Sequence, residues 1–449
     1  MPNFPENKKL RTNVRKTLAF FKMACYNGFT MKNVHLTADQ ERATNLIAEW
    51  FFNGDTMKFV LSGYAGTGKT FLVNHVVKNV LGLEAGVEAA FVSPTGKAAT
   101  VLAQGGTVAG TVHSLIYIRE EDELDVDEDG QVVSTIRKLN FFKRESIDEK
   151  IRLIVVDEAS MISDEVLRDL LSFGVKCLFC GDHAQLPPVN GDCHLLQNPD
   201  VVLTEIVRQA AGDPIIQVAT MAREGKQIPY GHYGENVHVI SLRRFQGLER
   251  KRALLRADQI ICGRNKTRNS LNAEYRGYLG YPADCILPQD GEKLICTLNN
   301  WEKPLDKEER FHLVNGIIGR VSGVEEHCDY LLKMSFQANE LGDEIDVVAD
   351  GGVFLGGEYM HMYGDRAVTL ADGTVAHECN RALLRKLKVV SEETISRFEF
   401  AYAITCHKAQ GSEFDSVVVF DESWLFGDDR FRWLYTAITR AKKELLIVR

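Results

Sequence analysis

No uninterrupted apolar run in this sequence approaches the roughly 20 residues needed to cross a bilayer, and the N-terminus lacks the apolar core of a signal peptide. No membrane partner is expected, and the cytoplasm is the expected location. Cysteine is sparse: ten are scattered over 449 positions without dense or paired spacing, which excludes a disulfide framework. The single CxxC, Cys177 to Cys180, lies in an apolar run that reads as a buried strand, without the second close pair or two histidines that a four-ligand zinc site wants. No repeat of fixed period occurs, and no low-complexity tract beyond one acidic run, so solenoid and fibrous classes are excluded.

Cations are in deficit. Lys and Arg number 53 against 62 Asp and Glu, a net charge of −9, which argues against a polyanionic partner. The average conceals its distribution. Eight of the ten residues from Glu120 to Asp129 are acidic, a run that alone reads as a solvated loop, and without it the remainder is close to neutral. The stretch from Arg243 to Arg268 carries nine Lys or Arg against two acids and leaves room for a local basic surface.

What is present is a globular composition, 45% hydrophobic and 26% charged, with length for two or three packed domains. Residues 1–30 are basic and poorly patterned, and read as a flexible arm or as an extension upstream of a start at Met31. Strand-length apolar runs then alternate with helical patterns. Phe59 to Leu61 precedes a Gly-rich loop and a helix from about Lys69; Ala89 to Val92 precedes a helix from about Gly96; Leu153 to Val156 and Lys176 to Phe179 follow. This is the alternation of a parallel sheet with helical crossovers. A second series, Gln259 to Cys262, Ser416 to Phe420 and Glu444 to Val448, with helical patterns at 266–278 and 430–440, suggests a second α/β unit. Between them, 285–396 is rich in Gly and short β-like runs, as a β domain inserted into the second unit would be.

Gly63-Tyr64-Ala65-Gly66-Thr67-Gly68-Lys69-Thr70 fits the phosphate-loop pattern between a predicted strand and a predicted helix. The glycines let backbone N–H groups curl around phosphates, the helix N-terminus adds positive potential, Lys69 reaches the outer phosphates and Thr70 can hold Mg²⁺. Hydrolysis also needs a carboxylate for the metal and a group that polarises water. The apolar strand Leu153 to Val156 ends in Asp157-Glu158, which supply a metal ligand and a general base. An apolar run ending in two acids is commonplace alone, but becomes a functional pair downstream of a phosphate loop.

Two further segments, Gly181 to Pro188 (GDHAQLPP) and Tyr435 to Ala441 (YTAITRA), together with the loop and the acid pair, resemble superfamily 1 helicases. The branch is indicated by Pro94-Thr95-Gly96-Lys97-Ala98-Ala99, Gly110 to Ser114, Leu203-Thr204-Glu205 with Arg208-Gln209, and Thr405 to Gly411 (TCHKAQG), which resemble the RecD/Dda type that moves 5′ to 3′ on DNA. The resemblance covers the chain from about Leu36 onward, with motifs in the expected order. In size and layout it is similar to the phage Dda-like members, which would put the protein in a host cytoplasm if a phage encodes it.

The resemblance implies an α/β fold of two RecA-like parallel-sheet domains, 31–113 with 150–205 and 206–284 with 397–449. It also implies a pin-like insertion at 114–149, containing the acidic run, and an SH3-like β insertion at 285–396 that opens near Asn315 to Val321. It implies ATP and Mg²⁺ as cofactors, with Gln40 reading adenine, Gln185 sensing the γ-phosphate, and Arg208 and Arg440 completing the catalytic set of Lys69, Asp157 and Glu158. Gly411 is implied as a further nucleotide-binding residue, and Thr70 and Asp157 hold the metal. Pro94, Thr95, His113, Thr405 and His407 are implied contacts to a DNA strand. One departure is Gly96, where the Dda protein carries histidine, so a strand-gripping side chain is absent there. Phe141-Phe142 is the nearest candidate for a strand-splitting wedge, with a core role as the alternative. The implied function is ATP-dependent unwinding of DNA in replication, recombination or repair, on single-stranded and tailed duplex DNA, with a single-strand-binding protein as a possible partner. The alternatives are a DNA-stimulated translocase that remodels protein–DNA complexes without efficient unwinding, and a non-catalytic nucleotide-regulated subunit.

If the acidic run projects from the DNA path or repels a displaced strand, deleting residues 120–129 strengthens single-stranded DNA binding at low salt. Fluorescence anisotropy would measure this, and unchanged affinity would return the run to the status of a solvated loop.

Overall fold

The computed structural model describes residues 35–104, 109–121, 125–126, 132–134, 139–187, 194–207, 212–307, 311–328, 331–339, 343–355, 366–370, 375–377 and 389–449. The arm at 1–30 lies outside them, as do the side chains of the acidic run.

Six parallel strands make the first sheet, in the order Val201–Leu203, Lys58–Gly63, Lys176–Gly181, Leu153–Val156, Ala89–Ser93, Ala109–Thr111. Continuous apolar runs are the consequence of burying both faces. Alternate residues serve opposite cores: Phe59 and Leu61 pack with Ile47 and Trp50 of helix Ala38–Asn53, whereas Val60 packs with Ile154, Val156 and Phe179 on the other side. The same alternation separates the CxxC thiols, since Cys177 belongs to one core and Cys180 to the other. Residues three apart in a strand point to opposite faces, so this pair shares no ligand.

The second sheet runs Gly231–Tyr233, Val237–Ile240, Ala441–Val448, Phe414–Phe420, Gln259–Cys262, Ala403–Thr405, parallel except for its first pair. Helices Asn265–Leu279 and Arg430–Ile438 stand where the apolar periodicity predicts them. Part of the basic stretch from Arg243 to Arg268 is taken up in ion pairs rather than left as open cationic surface. Arg250 pairs with Glu274 at 2.6 Å, Arg256 with Glu444 at 2.9 Å, Arg264 with Glu422 at 2.6 Å and Arg268 with Glu399 at 2.7 Å. Four of its nine cations are therefore neutralised by carboxylates of the same unit.

Within the second unit, a five-stranded antiparallel sheet carries the order Glu344–Asp350, Leu331–Ala338, Ile318–Cys328, Lys293–Cys296, Phe398–Phe400. Its last strand leads within three residues into Ala403–Thr405, so the insertion is fastened to the edge of the parallel sheet. A two-stranded ribbon, Tyr117–Glu121 against Leu139–Lys143, leaves the first unit. Ile118 and Phe142 face each other across it, 43% and 48% exposed, so Phe142 belongs to no core. The ribbon is anchored at its base by the Tyr117 hydroxyl, which donates to Asp169 at 2.6 Å.

The β insertion also touches the first unit. An added Cβ on Gly96 would lie 2.0 Å from Val314 Cγ2, which explains a glycine at this position: the insertion is seated where a side chain would stand. Gly96→Ala should therefore cost about 1–3 kcal/mol, as overpacked sites do, read as a lowered thermal midpoint. Val314→Ala should recover most of that loss, and additive effects of the two changes would reject the contact as its cause.

Candidate functional site

The strand Lys58–Gly63 delivers the phosphate loop. An added Cβ on Gly63 would meet Thr67 Oγ1 at 2.9 Å, and Gly66 and Gly68 take left-handed φ of 79° and 74°, which a side chain would strain. Gly68 caps helix Lys69–His75, so the loop turns its amides inward at a positive helix end. Lys69 Nζ donates to the carbonyls of Gly63 at 2.6 Å and Tyr64 at 3.0 Å, and is held over the loop by its own backbone.

The acid pair stands across the loop from Lys69. Thr70 Oγ1 donates to Asp157 Oδ2 at 3.3 Å, and the amide of Glu158 donates to Asp157 Oδ1 at 3.0 Å. Glu158 adopts φ 53°, the one left-handed non-glycine residue among those described, a strain that persists only where surroundings impose it. Burial raises the pKa of both carboxyls, most of all through desolvation, and Lys69 opposes the rise. The Arg440 guanidinium opposes it for Glu158 as well. Gln185 follows the neighbouring strand, 7% exposed, with its carbonyl Oε1 buried and without a hydrogen-bond partner. An orphaned acceptor beside two carboxylates and a lysine fits a site made for a hydrated metal ion and phosphate.

The second unit closes on this loop. Tyr435 Oη accepts the Ala65 amide at 2.8 Å and donates to Asp182 Oδ2 at 2.6 Å. Burial raises the Tyr435 pKa, and the Asp182 carboxylate adds to the rise, so the phenol keeps its proton. Thr436 Oγ1 accepts the Leu186 amide at 2.9 Å, and Gln410 donates to the Leu186 carbonyl at 3.0 Å. Arg440 is 4% exposed and held in place by the carbonyls of Thr436 at 3.1 Å and Ser412 at 3.2 Å. Arg208 lies outside the described residues.

Gln40 is committed locally. Its Nε2 donates to Thr67 O at 3.0 Å, and its Oε1 accepts the Thr37 amide in a capping box that starts helix Ala38–Asn53. Its neighbour Asp39, which sequence reasoning passed over, accepts from the Thr204 amide at 2.7 Å, the Thr204 hydroxyl at 2.8 Å and the Glu205 amide at 3.0 Å. These bonds hold its carboxyl below the usual range, and they tie the helix start to the segment that precedes Arg208. An acid in the first helical turn, two places after a Thr cap, was the available signal.

A groove of about 820 Å³ lies apart from the phosphate loop, between both units and the β insertion. It brings together Pro94, Thr95, His113 and His407 of the predicted strand contacts, and adds Asn299, Trp301 and Asn315 from the insertion. Desolvation lowers the pKa of His113 and His407, which favours the neutral form of both. Glu165 and Asp169 also line the groove. Two assignments change. Thr405 is buried, and its hydroxyl accepts the Lys408 amide as a helix cap, so it positions His407 instead of lining the groove. Gly411, expected to bind the nucleotide, has a left-handed φ of 70°, and an added Cβ would lie 2.9 Å from Ala98 and 3.6 Å from Thr95 Oγ1. Its close approach serves the groove side.

Residues 35–242 match the AAA domain family and residues 400–448 the UvrD-like helicase C-terminal domain. The chain is 28% identical over 401 residues to the ATP-dependent RecD2 DNA helicase of Deinococcus radiodurans, covering 85% of this chain and 46% of that protein. It is 24% identical over 420 residues to the ATP-dependent DNA helicase Pif1 of Campylobacter jejuni, covering 85% and 86%. The chain thus spans less than half the length of the Deinococcus relative. In fold it is similar to a Pif1 helicase solved for unwinding at forked double-stranded DNA, with TM-score 0.50, 18% identity and 92% of each chain covered.

Tyr435→Phe removes both hydroxyl bonds and leaves Asp182, which is fully buried, short of a donor. The expected loss is about 1–3 kcal/mol of stability, read from chemical denaturation. A wild-type midpoint would show that the bridge contributes nothing.

Proposed function

We propose that this chain, a superfamily 1 protein of the RecD/Pif1 type, is an ATP-dependent DNA helicase that moves 5′ to 3′ on single-stranded DNA and unwinds duplex. One observation carries the reading: the hydrolytic set of Lys69, Asp157, Glu158, Gln185 and Arg440 converges at one contact between the two α/β units, while Thr95, His113 and His407 converge in a separate groove between the same units. A change in how the units sit therefore reaches both sites at once.

The amides of residues 66–70 and Lys69 would bind the β- and γ-phosphates, and Thr70 and Asp157 would hold Mg²⁺. A metal held there would neutralise charge that develops on the transferred phosphate. Glu158 takes the proton of the attacking water, and its raised pKa suits it to that task. Gln185 offers its unpartnered Oε1 to orient that water. Arg440, in the second unit and close enough to act on Glu158, would stabilise negative charge only when the units are aligned. Hydrolysis then changes the affinity of the site for the aligned arrangement, and the groove alternates its grip on the strand. Contacts run to the sugar-phosphate path, so binding carries little sequence preference and weakens with salt. Phe142 and Ile118 on the ribbon supply an exposed apolar edge where a duplex would part.

ATP hydrolysis is expected to rise several-fold on adding single-stranded DNA and to vanish in Lys69→Ala. Duplexes with a 5′ tail should unwind, and those with a 3′ tail should not. Unwinding only from a 3′ tail would overturn the direction, and DNA-stimulated hydrolysis without unwinding of either would favour a translocase.

A further inference from the structure

The second unit grips the phosphate loop at one place that phosphate chemistry does not require. Arg223, the last residue of helix Pro214–Arg223, lays its guanidinium carbon 3.5 Å from the centre of the Tyr64 ring. Its side chain is only 19% exposed, and its ion pair among the described residues is a 3.9 Å approach to Glu224, too long for a hydrogen bond. Stacking on the ring is therefore its main contact. The ring is fixed from another side by His183, 5.0 Å away, whose Nδ1 lies 2.6 Å from the Ser62 hydroxyl.

The next residue of the loop, Ala65, gives its amide to Tyr435. Tyr64 and Ala65 both pack against the core of the second unit, which contains Trp433 and Tyr435. The loop is thus divided. Residues 66–70 face the phosphates, while 64 and 65 face the other unit.

We propose that Tyr64 and Arg223 are positioning residues that set the alignment of the second unit, and hence of Arg440, on the phosphate loop. This rests on the reading of the site as an ATPase. On that reading the loop amides, Lys69 and Thr70 of the first unit supply the main contacts to the bound phosphates. Turnover also needs Arg440 at the correct place. Loss of the stack should therefore lower kcat and spare KM. The guanidinium plane matters as well as its charge, because an ammonium does not stack on a ring face in the same way.

The test is steady-state ATP hydrolysis by the full chain, with and without saturating oligo(dT). Arg223→Ala and Tyr64→Ala are expected to lose roughly tenfold in DNA-stimulated kcat, with KM for ATP within about twofold of wild type. Tyr64→Phe keeps the ring and should retain most of kcat, whereas Arg223→Lys keeps the charge and should lose several-fold. If an alanine variant fails to fold, the contrast between these two conservative variants still decides. Wild-type kcat in Arg223→Ala, a raised KM at unchanged kcat, or equal loss in Tyr64→Phe and Tyr64→Ala would overturn the positioning role. Wild-type protein without DNA-stimulated hydrolysis would instead overturn the ATPase reading beneath it.

Discussion

A single buried phenol joins the parts on which the architecture depends. Tyr435, on the last helix of the second unit, accepts a hydrogen bond from the phosphate loop and donates one to Asp182 at the end of a neighbouring strand. Both partners belong to the first unit and are separated from it in sequence by more than 250 residues. Asp182 cannot turn to water instead, since it is fully buried. The relative placement of the units is therefore a hydrogen-bonding requirement, with apolar packing around it. Arg440 lies five residues along from the phenol, so the same constraint fixes the cation relative to Glu158.

The groove obeys a steric constraint of another kind. Beside it, glycine backbones meet side chains directly, Gly96 against Val314 and Gly411 against Ala98, with no room for a Cβ. Polar groups then project from the rims: a capped helix start at Thr95, two histidines, and amides of the insertion. Such a surface suits a ligand whose charge lies along a flexible backbone and whose bases are interchangeable.

Much of this was legible because it is written in local chemistry. Glycines at 63, 66 and 68 announce a loop that must curl, and a four-residue apolar run ending in two acids announces a strand that delivers them. The long strands and helices carry strong periodicity. Less legible were the three-residue and four-residue strands at 109–111, 201–203, 237–240 and 403–405, which are too short to display a pattern and exist only through their neighbours. The fates of Thr405, Gly411 and the basic stretch were hidden for a related reason. A hydroxyl that caps a helix and one that grips a strand look alike in sequence, and four arginines find their carboxylates only once residues up to 188 positions apart meet. Asp39 escaped notice because its three donors lie more than 160 residues downstream.

The start of the first described helix has a consequence for molecular selectivity. Gln40 gives one amide hydrogen to the loop carbonyl of Thr67 and one carbonyl lone pair to the helix cap. A side-chain amide has two hydrogens and two lone pairs, so a nucleobase can be offered only what is left over. That remainder suffices to recognise one donor and one acceptor on a ring edge. It is anchored to the phosphate loop, so if Gln40 reads the base as proposed, a base that fits poorly would pull on that loop as well. Discrimination among nucleotides would then be expressed in how fast a bound triphosphate is used, more than in how tightly it is held.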